Sequence, residues 1–228
     1  MTDIARLSPK KVVFSILIKS MEIGKRNILA VYYTASPIQM RKGKNWYVDA
    51  HAIADDLGDI YGIATERVCG VIAALSPGCS WEKNIYEAEK CLNYFKMGCT
   101  ATDAPFIGSY GRANMIKSWR ILAGEPSLEA LKGNKVRAFF SLLHDPTNSH
   151  DVCIDRHALS VWAGEKLGER QLLNFMRSPE KYDAIAQDYR DVAAQLDLLP
   201  NQLQAITWVT WRENNVLTFL NKRYTLKS

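Results

Sequence analysis

The chain lacks most of the features that assign a protein quickly. No run of about eighteen apolar residues occurs, so no segment reads as a membrane span. Residues 1–11 have neither an apolar core nor a small-residue cleavage pattern, so no signal peptide is expected. The five cysteines (Cys69, Cys79, Cys91, Cys99 and Cys153) include no Cys-x-x-Cys pair. That spacing argues against zinc or iron–sulfur ligation and against a disulfide frame, and points to reduced thiols in a cytoplasmic protein. The four histidines, His51, His144, His150 and His157, lack zinc-ligand spacing. No metal and no cofactor is expected. A dinucleotide-binding glycine fingerprint, a P-loop, a His-Glu-x-x-His helix and a Gly-x-Ser-x-Gly elbow are all missing, which leaves nucleoside-triphosphate and metallopeptidase chemistry without a foothold. There is no alternating strand pattern, internal repeat or low-complexity tract.

What is present is an ordinary globular composition: 228 residues, 47% apolar and 23% charged. The length suits one domain, or two lobes sharing a cleft. The formal charge of +5 permits a polyanionic partner without demonstrating one. Helical periodicity dominates. Ser8-Pro9 reads as a helix start, and the pattern runs to about residue 35, with Gly24-Lys25 as a possible break. Residues 37–48 read as a basic, turn-rich loop carrying Arg41, Lys42, Lys44 and Trp46, either solvated or in touch with phosphate and base. Helices are expected over 48–61, from Thr65 through Leu75, from Ser80 to about Lys96, over 112–123, over 128–132, from Arg156 to about Leu167, after Ser178-Pro179, and over 202–212. The segment ending at Leu75 is apolar almost all round and is expected at the centre of the fold. The fold class is therefore all-α. One helical unit is expected, with one lobe at about 37–123, a second made of about 124–213 together with the N-terminal helix, and a basic tail at 214–228.

The stretch 131–157 concentrates the candidate chemistry. A Gly133-Asn134-Lys135 turn opens an apolar helix, a polar loop follows, and Asp155 arrives beside Arg156 and His157. Two readings stand together. Asp155 is a helix N-cap and Lys135 a solvated surface residue, or the amine and the carboxylate form a nucleophile and its electrostatic partner.

These residues resemble the helix-hairpin-helix DNA glycosylases, the superfamily of endonuclease III and the 8-oxoguanine glycosylases. The family's site reads Leu-Pro-Gly-Val-Gly-x-Lys, a helix, a loop, then Val-Asp-Thr-His. Gly133-Asn134-Lys135 matches the first part and Ile154-Asp155-Arg156-His157 the second. The resemblance implies a fold of two helical lobes with a cleft between them, and a base-excision glycosylase with AP-lyase activity acting on duplex DNA with a damaged or modified base. Lys135 would attack the sugar C1′, and Asp155 would assist as positive charge builds on the sugar. Gly133, Asn134, Arg156 and His157 would contact DNA. Trp81, Trp208 and Trp211 are candidate walls for a flipped base, and Gln204 a candidate reader of its edge; as isolated residues, each tryptophan reads first as core, and Gln204 equally as a surface amide. Ala130-Leu131-Lys132 replaces the family's Pro-Gly-Val, Arg156 replaces its threonine, and the iron–sulfur cysteines are absent. A diverged relative acting on a modified base, a helical DNA-binding protein without chemistry, and a helical protein-interaction module are the alternatives. A DNA-binding role would make the protein nucleoid-associated.

Overall fold

A computed structural model describes residues 23–109 and 111–225, with side chains through Asn214. The described residues form helices and connecting turns, with no strand, so the fold is all-α. Helix α1 covers residues 23–33. It is followed by α2 (Pro37–Tyr61), α3 (Thr65–Leu75), α4 (Trp81–Lys96), α5 (Gly111–Leu122), α6 (Ser127–Ala130), α7 (Asn134–His144), α8 (Arg156–Ala163), α9 (Glu169–Met176), α10 (Pro179–Gln195) and α11 (Pro200–Thr225). Contacts divide the chain into two compact units. One joins residues up to Lys44 with those from Ile154 onward, and the other is the continuous segment Asn45–Cys153. The chain passes from one to the other inside α2. The readings at Ser8-Pro9 and over the following apolar residues to Met21 lie outside the described residues.

In the continuous unit the centre is α3. Every residue from Val68 to Leu75 is buried, which is what its apolar circumference requires. Helices α4, α5, α6 and α7 pack around it. Residues 124–153, grouped with the C-terminal helices on sequence, lie in this unit. Close packing is enforced at Gly70, where a Cβ would sit 2.5 Å from the Ser127 hydroxyl. Helix α4 starts where the Ser80 cap places it, with the Lys83 amide donating to the Ser80 hydroxyl. Cys69 and Cys91 lie in this core, and burial pushes both thiols up to about 12.

The discontinuous unit is built on α8, α10 and α11, with α9 against α10. Ser178 caps α10 and Pro179 opens it, as the residues indicate. Tyr189 is fully buried on α10 and donates to the Ala158 carbonyl on α8. Asp188, also buried, accepts from the Trp162 indole at 2.8 Å and faces the Lys25 ammonium of α1 at 3.6 Å. Lys25 is in turn hydrogen-bonded to Asp191. Burial raises the Asp188 carboxyl above its ordinary value, against the indole hydrogen bond and the lysine.

The sequence reading is corrected in three places. Residues 37–48 are helix, not loop. Ser36 and Gln39 form reciprocal backbone–side-chain bonds, a capping box, with Pro37 at the first helical position. Helix α8 ends at Ala163 rather than near Leu167, because Gly164 takes a left-handed φ of 76°. Residues 169–176 form α9, a short helix that buries only Leu172. Gly24 lies at the start of the described part of α1, where a Cβ would strike the Trp162 indole at 2.0 Å. No helix among the described residues is long and apolar enough to cross a membrane.

Candidate functional site

Lys135 belongs to the continuous unit. Gly133 precedes α7 with φ 85°, a left-handed conformation that a side chain would strain. The turn thereby sets Lys135 in the first turn of α7, half-buried. Its ammonium donates to the Ser76 hydroxyl at 3.0 Å and lies 5.2 Å from the centre of the Phe139 ring. Ser76 is buried at the C-cap of α3. Among the described residues no carboxylate pairs with this ammonium. The Lys135 carbonyl faces the Cys153 thiol at 3.8 Å.

Beside Phe139 lies an aromatic group. Trp46 stands 6.1 Å from Phe139 and 5.0 Å from Trp81, tilted 56° to it, and Tyr47 packs edge-on against both Trp46 and Phe139. Tyr47 and Phe139 are buried, while Trp46 and Trp81 are half-exposed.

Asp155 belongs to the discontinuous unit and caps α8. One carboxylate oxygen accepts from the His157 and Ala158 amides at 2.9 and 2.8 Å, and the other from the Trp208 indole at 3.0 Å. The N-cap reading is therefore correct as structure, and the same carboxylate is tied to a second helix. The Arg212 guanidinium lies 4.4 Å from the centre of the Trp208 ring, and His157 meets that ring edge-on. Burial holds the His157 imidazole below the ordinary histidine value; Arg212, Arg156 and Lys166 add to this, while Asp155 opposes it.

Asp155, His157 and Trp208 thus come together, and Trp81 joins Trp46. Gln204 is buried in α11 rather than a surface amide, Trp211 is half-buried, Arg156 is exposed, Gly133 is the residue before α7 and Asn134 is the first residue of that helix. Sequence reasoning missed Ser76, Phe139 and Arg212. Arg212 carried a local signal, one helical turn beyond Trp208. Ser76 lies 59 residues from Lys135 and carried none. No group of three or more potential ligands able to hold a metal occurs among the described residues.

Two measurements check this part of the site. Asp155→Ser keeps a capping oxygen but drops the indole acceptor, and Trp208→Phe drops the donor. Each is expected to cost about 1 kcal/mol in urea unfolding, and Asp155→Ala about 2 kcal/mol, since it loses both. A cost for Asp155→Ala no larger than for Asp155→Ser would refute the double role. The second check is pH. The folded His157 value lies below its unfolded 6.5, so its contribution is complete above that pH and is lost as pH falls toward the folded value. The urea midpoint is expected to drop between pH 7 and pH 5, and less steeply in His157→Gln.

One protein-family model matches residues 15–215, described as a family of unknown function (DUF7178). No curated protein and no solved structure matches the chain.

Proposed function

Because the chain belongs to the DUF7178 family of unknown function, we propose its activity from its own residues: a DNA base-excision glycosylase with AP-lyase activity. The observation that carries the reading is Lys135, a half-buried lysine set against an aromatic ring and a hydroxyl with no carboxylate partner among the described residues. A lysine serving only as a surface charge has no need of that setting, whereas an amine nucleophile does. In this reading Lys135 and Asp155 serve one sugar. The amine, having given up its proton, attacks C1′ as the glycosidic bond breaks and the base leaves carrying a proton; the C1′–O4′ bond then opens to give the iminium, and loss of a C2′ proton expels the 3′ phosphate and cleaves the strand. Asp155, fixed by three N–H donors, offsets the charge that develops on the sugar. Gly133, Asn134, Arg156 and His157 would meet the DNA. Trp81, Trp208, Trp211 and Gln204 would surround the extruded base. Trp208 also steadies Asp155.

Incubation with abasic duplex and borohydride tests the chemistry, because reduction captures the iminium as a stable protein–DNA adduct. Absence of an adduct sinks the lyase reading. One observation favours a second reading, a helical DNA-binding protein without chemistry: the Asp155 carboxylate is fully accounted for as a cap and an indole acceptor. That reading expects salt-dependent DNA binding unaffected by Asp155→Asn, and no strand cleavage.

A further inference from the structure

We propose that the face of the continuous unit bearing Trp46, Trp81 and Lys135 binds an unpaired nucleobase together with its flanking phosphate, as presented by single-stranded DNA. This deepens the reading above at the same amine, and rests on it only in taking nucleic acid as the ligand. Three observations converge. Trp46 comes from α2 and Trp81 from α4, yet their rings lie 5.0 Å apart with both indoles half-exposed. Tryptophan is the largest apolar side chain, and two of them held jointly at a surface leave unburied area that a planar ligand can cover. The 56° tilt keeps the pair from stacking face to face on one another. Beneath them Tyr47 and Phe139 are buried, so the shelf is fixed by the core and needs little ordering when a ligand arrives.

The second observation is the placed cation. Phe139 links the shelf to Lys135, whose ammonium is 5.2 Å from that ring and anchored on Ser76. Ser76 is four residues before the Ser80 cap of α4, so a single short loop connects the hydroxyl holding the amine to the helix presenting Trp81. The third is the sign of the neighbouring charges. Lys132 and Arg137 flank Lys135 at the start of α7, and Lys83, whose ammonium donates to the Ser109 hydroxyl, shares the first turn of α4 with Glu82; all four are exposed, and three of the four are cations. Aromatic faces interleaved with cations are the combination that holds single strands, rings on bases and amines on phosphates. An apolar peptide would satisfy the indoles and leave the cations without a counterpart.

The test compares two labelled oligomers of equal length and charge, one of thymidine and one of the tetrahydrofuran abasic analogue, which has no C1′ aldehyde for an amine to capture, by fluorescence anisotropy with the full chain at low salt. The thymidine oligomer is expected to bind at least about ten-fold more tightly. Trp46→Ala and Trp81→Ala are each expected to weaken thymidine binding about ten-fold and to leave abasic binding unchanged. Trp46→Phe and Trp81→Phe, which keep a ring and guard against misfolding, should retain most of the preference. Lys135→Met should weaken both oligomers by the same factor. Equal affinity of the wild-type chain for the two oligomers overturns the proposal without recourse to any variant, as does tighter binding to duplex than to the thymidine strand. Adduct formation with borohydride is scored separately. A chain that is captured on abasic duplex but shows no base preference loses the shelf and keeps the chemistry, and the converse result does the opposite.

Discussion

Lys135→Met is expected to give no borohydride-stabilised adduct with abasic duplex under conditions that capture the wild-type chain. Methionine keeps an unbranched stem to pack on Phe139 and removes only the amine. A loss of adduct with an unchanged melting temperature then isolates the chemistry from the packing. The distinction matters because the ammonium touches both the Phe139 ring and the Ser76 hydroxyl, so truncation to alanine removes contacts as well as the nucleophile. The stability lost with those contacts is expected to stay at or below about 1 kcal/mol, the range of a half-exposed cation–π contact. The loss of adduct should be complete, because in this reading Lys135 supplies the attacking amine. An undiminished adduct in Lys135→Met would assign the nucleophile elsewhere. Base release that persists without an adduct would mean that water performs the displacement and that Lys135 serves only to bind.

The second large effect is structural. Gly43 sits mid-helix in α2, where a Cβ would lie 2.3 Å from the Ile206 Cα and 2.5 Å from its nitrogen in α11. Both obstacles are backbone, so relief requires the helices to separate. Alanine gains about 1 kcal/mol of helix propensity over glycine, while overpacking of this kind costs up to about 3 kcal/mol. Gly43→Ala is therefore expected to lose about 2 kcal/mol, lowering the melting temperature by roughly 4–8 °C in a chain of this size. Lys44→Ala, exposed on the same helix, should change it by no more than a degree or two. A melting temperature that rises in Gly43→Ala would show that α2 and α11 do not touch there.

Gly43 also explains why residues 37–48 were hard to read. Proline, glycine and three cations in a dozen residues have the composition of a loop, and only the facing backbone of Ile206 gives the glycine its purpose. Yet the helix start was written in the chain, since Ser36-Pro37-Ile38-Gln39 is a capping box with proline at the first position. Local chemistry of that kind was legible elsewhere. Ser80, Ser178-Pro179 and Asp155 announce their helices, and the apolar circumference of α3 announces its burial. Helix α9 escaped because it buries little more than Leu172 and so shows no stripe. The candidate site divides along the same line. Lys135 and Asp155 were visible in a motif. Their partners Ser76 and Trp208 stand 59 and 53 residues away, distances over which periodicity carries no information.

The division of the chain also constrains the order in which it is made. Asn45–Cys153 is continuous, and the helices that its core helix α3 packs on most, α4, α5, α6 and α7, lie within that span. A nascent chain released that far can complete this unit while synthesis continues. The other unit begins before it and ends after it, so α1 and the start of α2 must wait through more than a hundred residues of translation for α8, α10 and α11. During that interval Gly43 has no Ile206 to face and Lys25 has no aspartate to meet. Until α8, α10 and α11 are made, α1 and the start of α2 lack the rest of their unit.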